Sequence, residues 1–204
     1  LTYKSKFVVQ ILASLLLVYG GCGIGNLGGL FGIHAVPSFV GTILTVLVCV
    51  LLLNAYNLID GIDGLCSGLS LLTLGALGIW FTWNNLYVYG IMVAGIVGVV
   101  GVFFFYNVSS TRMKIFMGDT GSLTLGYLIA FFGLKFYNMN VETTMFHTPA
   151  APAVLLGMVF IPVFDTIRVF FVRIKAGLSP FYPDKRHIHH KMLRLGLNHF
   201  QSSM

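Results

Sequence analysis

The chain has 204 residues, of which 57% are hydrophobic and only 9% charged, with a formal net charge of +6. Ordinary soluble domains carry roughly a quarter charged residues, so this composition excludes a soluble globular protein. Phe7 to Ile59 and Gly64 to Thr111 hold no Asp, Glu, Lys or Arg at all, and each run is long enough for two of the ~20-residue crossings of a bilayer.

In chain order, Lys4 and Lys6 precede an apolar stretch at 7–21 that ends in glycines rather than in a small-residue cleavage site. That pattern predicts a first span and no cleavable signal peptide. The glycine-rich run from Gly20 to Gly29, followed by Pro37, interrupts helix and predicts a connecting loop. Further spans are expected at 36–56, 65–83, 86–106, 121–138 and 150–173, with Trp83-Asn84-Asn85 as an interface-seeking turn between the third and fourth. The fold class is therefore all-α, a polytopic transmembrane helical bundle of about six spans forming a single domain over 1–204. Cys22, Cys49 and Cys66 lie in apolar or glycine-rich surroundings with no CxxC spacing; they read as packing residues.

Three polar clusters interrupt the apolar runs. The first, Asn54-Ala55-Tyr56-Asn57-Leu58-Ile59-Asp60-Gly61-Ile62-Asp63-Gly64-Leu65, ends one span and opens the next. Helix capping needs one Asp or Asn, whereas two amides and two carboxylates at the end of a long apolar span are costly to desolvate and point to a site. The second, Phe116-Met117-Gly118-Asp119-Thr120-Gly121-Ser122, precedes a new apolar run. Unpaired N–H groups and the helix dipole favour anions there, and a carboxylate in that position can hold Mg2+, which binds one or two carboxylates plus substrate phosphates. Asp119 as a plain N-cap and Phe116 as plain packing are the simpler alternatives.

The third cluster, Ser179-Pro180-Phe181-Tyr182-Pro183-Asp184-Lys185-Arg186-His187-Ile188-His189-His190-Lys191, sets three histidines beside basic residues. Such a hydrogen-bond-rich cationic patch suits a diphosphate, while its spacing matches no standard zinc pattern. Asp165 and Arg168 stand at i and i+3 in the last span, where they either neutralise each other or orient the basic tail.

With six spans, segments 1–6, 57–64, 107–120 and 174–204 share one side. Every basic residue except Lys135, and every carboxylate except Glu142, falls on or near that side. The positive-inside rule makes it cytoplasmic. Basic residues at helix ends report topology and lipid contact by themselves; the clustering of acidic residues has no such explanation.

As a set, the turn at 54–65, the FMGDTGS stretch at 116–122 and the SPFYPDKRHIHH stretch at 179–190 resemble the polyprenyl-phosphate N-acetylhexosamine-1-phosphate transferases of the WecA and MraY type. Lys4-Ser5-Lys6-Phe7-Val8-Val9-Gln10 is similar to the segment that follows that family's first acidic motif, and the HIHH form is closer to the WecA branch. The resemblance implies transfer of a sugar 1-phosphate, here N-acetylglucosamine-1-phosphate, from a UDP-N-acetylhexosamine to a polyprenyl phosphate such as undecaprenyl phosphate. It also implies UMP release and a need for Mg2+, with Mn2+ as an alternative.

By the same resemblance Asp119 is the Mg2+ ligand, and Asp60, Asp63, His187, His189 and His190 belong with it to the catalytic set. Asn54, Asn57, Phe116, Lys6, Lys185 and Arg186 serve substrate binding, Phe116 as a stacking face for uracil. The expected partners are the two substrates, membrane lipids and at most a second copy in a homodimer, with no nucleic acid; the expected place is a bacterial cytoplasmic membrane. The family's adjacent Asp-Asp pair would fall ahead of Leu1, so the resemblance implies a fragment that is inactive alone. Two rival readings stand beside it: phospho-N-acetylmuramoyl-pentapeptide transfer in peptidoglycan synthesis, and a multi-span transporter. Transporters tend to place ionisable residues near the midplane, whereas here they gather at helix ends.

Overall fold

The computed structural model describes residues 3–109, 114–142, 148, 150–175 and 177. The expectations placed on Lys185, Arg186, His187, His189 and His190 lie outside the described residues.

Seven α-helices carry the described chain: α1 Tyr3–Leu17, α2 Ser38–Ile59, α3 Leu65–Trp83, α4 Tyr87–Val108, α5 Gly118–Glu142, α6 Ala151–Met158 and α7 Phe160–Lys175. A π-helical turn, Val18–Cys22, prolongs α1. The glycine-rich loop after it folds back on itself, with a single antiparallel bridge between Asn26 and Ala35. Ser5–Cys22, α2, α3 and α4 are each long and apolar enough to cross a membrane, and α6 with α7 makes a fifth crossing if the pair is one broken span.

The six-span expectation also counts α5. Its 25 residues suffice for a crossing at 1.5 Å per residue, but Lys135, Asn138 and Asn140 dilute its apolarity. The packing accounts for that composition. α5 lies against α2, α3 and α6 and buries Ile129, Ala130, Phe132, Leu134 and Phe136, so protein rather than lipid surrounds much of it. α4 shows the opposite pattern, being free of charge along its whole length, with Ile91, Val99, Val102 and Phe105 exposed.

The α2–α5 contact is close because Gly126 faces backbone. A Cβ there would stand 2.8 Å from Leu53 Cα and 3.1 Å from the Leu52 carbonyl oxygen. Small residues let helices approach in this way where burial of apolar surface gives no driving force between them.

The helices of the expected sixth span, 150–173, are broken at Val159, and the two halves are bent by 72°. Pro162 has no N–H to close onto the carbonyl four residues back, which belongs to Met158. The Thr73 hydroxyl of α3 donates to that carbonyl at 3.1 Å, and the Tyr56 hydroxyl of α2 lies 3.3 Å from Thr73 Oγ1. With its hydrogen committed to Met158, Thr73 accepts from Tyr56. This buried relay satisfies the break across three helices. Beyond it, Asp165 is buried and receives both Nε and Nη2 of Arg168, at 3.2 and 2.6 Å.

Candidate active site

α1, α2 and α5 bring three of the anticipated side chains to one point at the loop end of α2. α2 stops at Ile59, Asp60 caps it, and Gly64 at φ +81° turns the chain into α3. Such a backbone angle is open to glycine at little cost. From the other side α5 starts at Gly118 with Asp119 in its first turn, where the helix dipole stabilises a carboxylate. Asn57 Nδ2 donates to Asp119 Oδ1 at 3.1 Å and to Ser122 Oγ at 2.9 Å. Because the Ser122 hydroxyl donates to the Gly118 carbonyl at 3.0 Å, its oxygen is turned to receive Asn57. Lys6, from α1, makes an ion pair with Asp119 Oδ2.

Those bonds set the charge state. The hydrogen bond from Lys6, followed by that from Asn57, holds the Asp119 carboxyl below its ordinary value. Asp60 moves the other way, pushed up to about 6 by burial and then by the negative charges of Asp119 and Asp63, against the Gly118 N–H that donates to it. Asp63 is paired with Lys114 at 2.5 Å. The same ammonium stands 5.3 Å from the ring centroid of Phe116. Phe116 is 77% exposed, an open aromatic face among the described residues.

Lys6, Asn57, Asp60, Asp63, Asp119 and Phe116 thus gather at one end of the bundle. Asn54 sits one turn further along α2, turned to Gln10 of α1 in a reciprocal amide pair with bonds of 2.8 and 3.4 Å, and also donating to the Val50 carbonyl. Sequence reasoning missed Asn107. Its side chain, 4% exposed, accepts from Gly64 N–H at 2.6 Å and donates to the Ile115 carbonyl at 2.9 Å. One residue therefore ties the Asp60–Gly64 turn to the strip that leads into Asp119. The signal was present, since an amide at the end of the charge-free α4 is as costly to desolvate as Asn54.

Among the described residues no group of three or more His, Cys, Asp or Glu side chains converges as a metal cage. Oxygen donors from one or two carboxylates fit a hard cation that keeps its waters and shares substrate phosphate, as Mg2+ does. The arrangement of one accessible carboxylate, amide donors, lysines and an open aromatic ring suits a nucleotide diphosphate.

Residues 1–137 match the profile of glycosyl transferase family 4. The undecaprenyl-phosphate alpha-N-acetylglucosaminyl 1-phosphate transferase of Escherichia coli (strain K12) is 36% identical over 92 residues, 45% of this chain and 23% of that protein. The proteins of the same name from Salmonella typhi and Pasteurella multocida are 35% identical over 92 residues and 36% over 91. The match covers 24% of the Pasteurella protein, so this chain corresponds to a minor part of each relative's length.

Proposed function

The chain belongs to glycosyl transferase family 4, and from that premise we propose that the whole protein moves N-acetylglucosamine-1-phosphate from its UDP-sugar to undecaprenyl phosphate at the cytoplasmic face of a bacterial inner membrane. UMP leaves, and the lipid-linked sugar starts a cell-envelope polysaccharide. The convergence of Lys6 and Asn57 on Asp119 at the N-terminus of α5, beside Asp60, carries this reading. The names of the relatives support the choice of substrates, and the basic residues of the loop ends support the cytoplasmic face.

A phosphate oxygen of the acceptor attacks the sugar-bearing phosphorus, and the bond from that phosphorus to the bridging oxygen breaks, leaving that oxygen on UMP. Catalysis of this kind rests on positioning and charge neutralisation. Asp119 would hold Mg2+, or Mn2+ in its place, which when bound supplies neutralisation of the diphosphate charge. Asn57 fixes the Asp119 carboxylate by bonding it and Ser122 together. Lys6 and Lys114 bring positive charge to the phosphates, and Phe116 offers uracil an uncovered ring. Lys185, Arg186, His187, His189 and His190 add their cationic patch by resemblance alone.

The test is UMP release by the intact protein supplied with UDP-N-acetylglucosamine, undecaprenyl phosphate and Mg2+. Asp119→Asn should lower turnover by about 100-fold or more, the scale for losing a main electrostatic group. Unchanged turnover would remove Asp119 from the mechanism.

A further inference from the structure

Both oxygens of Asp119 are engaged by the chain itself, Oδ1 by Asn57 and Oδ2 by Lys6. The two partners differ in how firmly they are held. Asn57 is anchored a second time on Ser122 and leaves the bundle only if α2 moves. Lys6 reaches across from α1 on a flexible four-carbon stem, with its side chain 34% exposed, and can swing to solvent without disturbing a helix. The neighbouring pair differs in its carboxylate. Lys114 is about as exposed as Lys6, but Asp63 is only 13% exposed against 58% for Asp119, and Lys114 also rests over the Phe116 ring, so that pair is the harder to part.

A divalent cation on Asp119 and an ammonium on the same carboxylate repel each other at contact range. We propose that Lys6 is a tethered counter-cation, which a divalent metal displaces from Asp119 and which then turns to the phosphates of the nucleotide sugar. The inference rests on the reading of Asp119 as the metal ligand. It makes metal and nucleotide binding mutually reinforcing, since each ligand takes one partner of the Lys6–Asp119 pair and frees the other for its counterpart. Asn57 stays in place throughout and keeps the carboxylate aimed.

Mn2+ binding to the intact detergent-solubilised protein, read from the loss of the free-ion paramagnetic resonance signal with no nucleotide present, tests this without turnover. Lys6→Gln should bind Mn2+ about tenfold tighter than wild type, by removal of a competing charge, and Lys6→Arg should bind it no tighter. Equal or weaker binding by Lys6→Gln overturns the inference. Asp119→Asn separates the two readings. If it abolishes Mn2+ binding while Lys6→Gln gives no gain, only the displacement fails; if it leaves Mn2+ binding intact, the metal assignment fails and the displacement with it. In the wild-type protein, Mn2+ should also speed acylation of Lys6 by an amine-reactive reagent, followed by mass spectrometry. An unchanged or slower rate overturns the displacement even if the variants do not fold.

Discussion

α5 has polar residues at both ends, and the two ends solve the problem of polarity in a membrane protein in different ways. At the end remote from Asp119, Tyr137 donates to the Asn26 carbonyl at 2.8 Å, Asn138 donates to the Gly23 carbonyl at 3.0 Å and Asn140 accepts from the Thr148 N–H at 2.7 Å. Each neutral side chain is matched to a backbone group of a neighbouring segment, which satisfies loop backbone that apolar surroundings would otherwise strand. At the Asp119 end each bond has a charged member and joins two side chains: Lys6 on Asp119, Lys114 on Asp63, Asn57 on Asp119. Bonds to backbone fix a fold, whereas bonds between side chains can be exchanged for bonds to a ligand. Polarity at a helix end is thus no mark of function; what its partners are made of is the better guide.

That contrast predicts opposite phenotypes for substitutions at the two ends. Asp119→Asn should show the largest effect, the roughly 100-fold loss of UMP release given above, with the melting temperature little changed. Asn107→Ala should come next, lowering turnover about tenfold by freeing the Gly64 and Ile115 backbone groups that align the turn with Asp119, on the scale of a displaced positioning contact; Asn107→Gln, which keeps the amide, should recover part of the loss, and wild-type turnover in Asn107→Ala would contradict that role. Asn138→Ala should do the reverse. It should cost about 1 kcal/mol of stability, the scale of interhelical hydrogen bonds in membranes, and leave turnover per folded molecule unchanged. A loss of turnover there would break the comparison.

The smallest effect concerns pH. Asp60 binds its proton more tightly in the fold, at about 6, than at its ordinary 3.8. Its ionisation therefore opposes folding above pH 6, the penalty fades as the pH falls from 6 toward 4, and it is absent below both values. Metal-free Asp60→Asn protein should accordingly melt slightly higher than wild type near about pH 7.5 and show no gain near about pH 4. A gain that persists at low pH would trace the stabilisation to something other than charge.

Much of this arrangement was legible in the residues because desolvation leaves so few polar groups in apolar helices. The bounds of α3, Leu65–Trp83, coincide with the expected 65–83, and the turn around Asp60 and the start of α5 both bear the residues they were assigned. The break at Val159 was only half visible. Pro162 announces a lost hydrogen bond, but the carbonyl left free beside the 72° bend is met by Thr73, some 85 positions away in sequence, and no local pattern reveals such a partner. Asn107 carried a desolvation signal that went unread, but its two partners, Gly64 and Ile115 in other segments, were beyond any local pattern. The pairing of Asn54 with Gln10 likewise needed α1 and α2 to be placed side by side.

The close crossing at Gly126 gives the polar end an unexpected regulator. Gly126 lies seven positions along α5 from Asp119, about 10 Å at helical rise, and on the opposing helix Leu53 stands four positions before Asn57. From that crossing α2 leads to the amide and α5 to the carboxylate, so the two helices resemble a pair of callipers with the pivot among apolar residues. A single methyl group inserted at the pivot would spread the tips, and a site built of carboxylates, amides and lysines would then be detuned by a change with no polar atom in it.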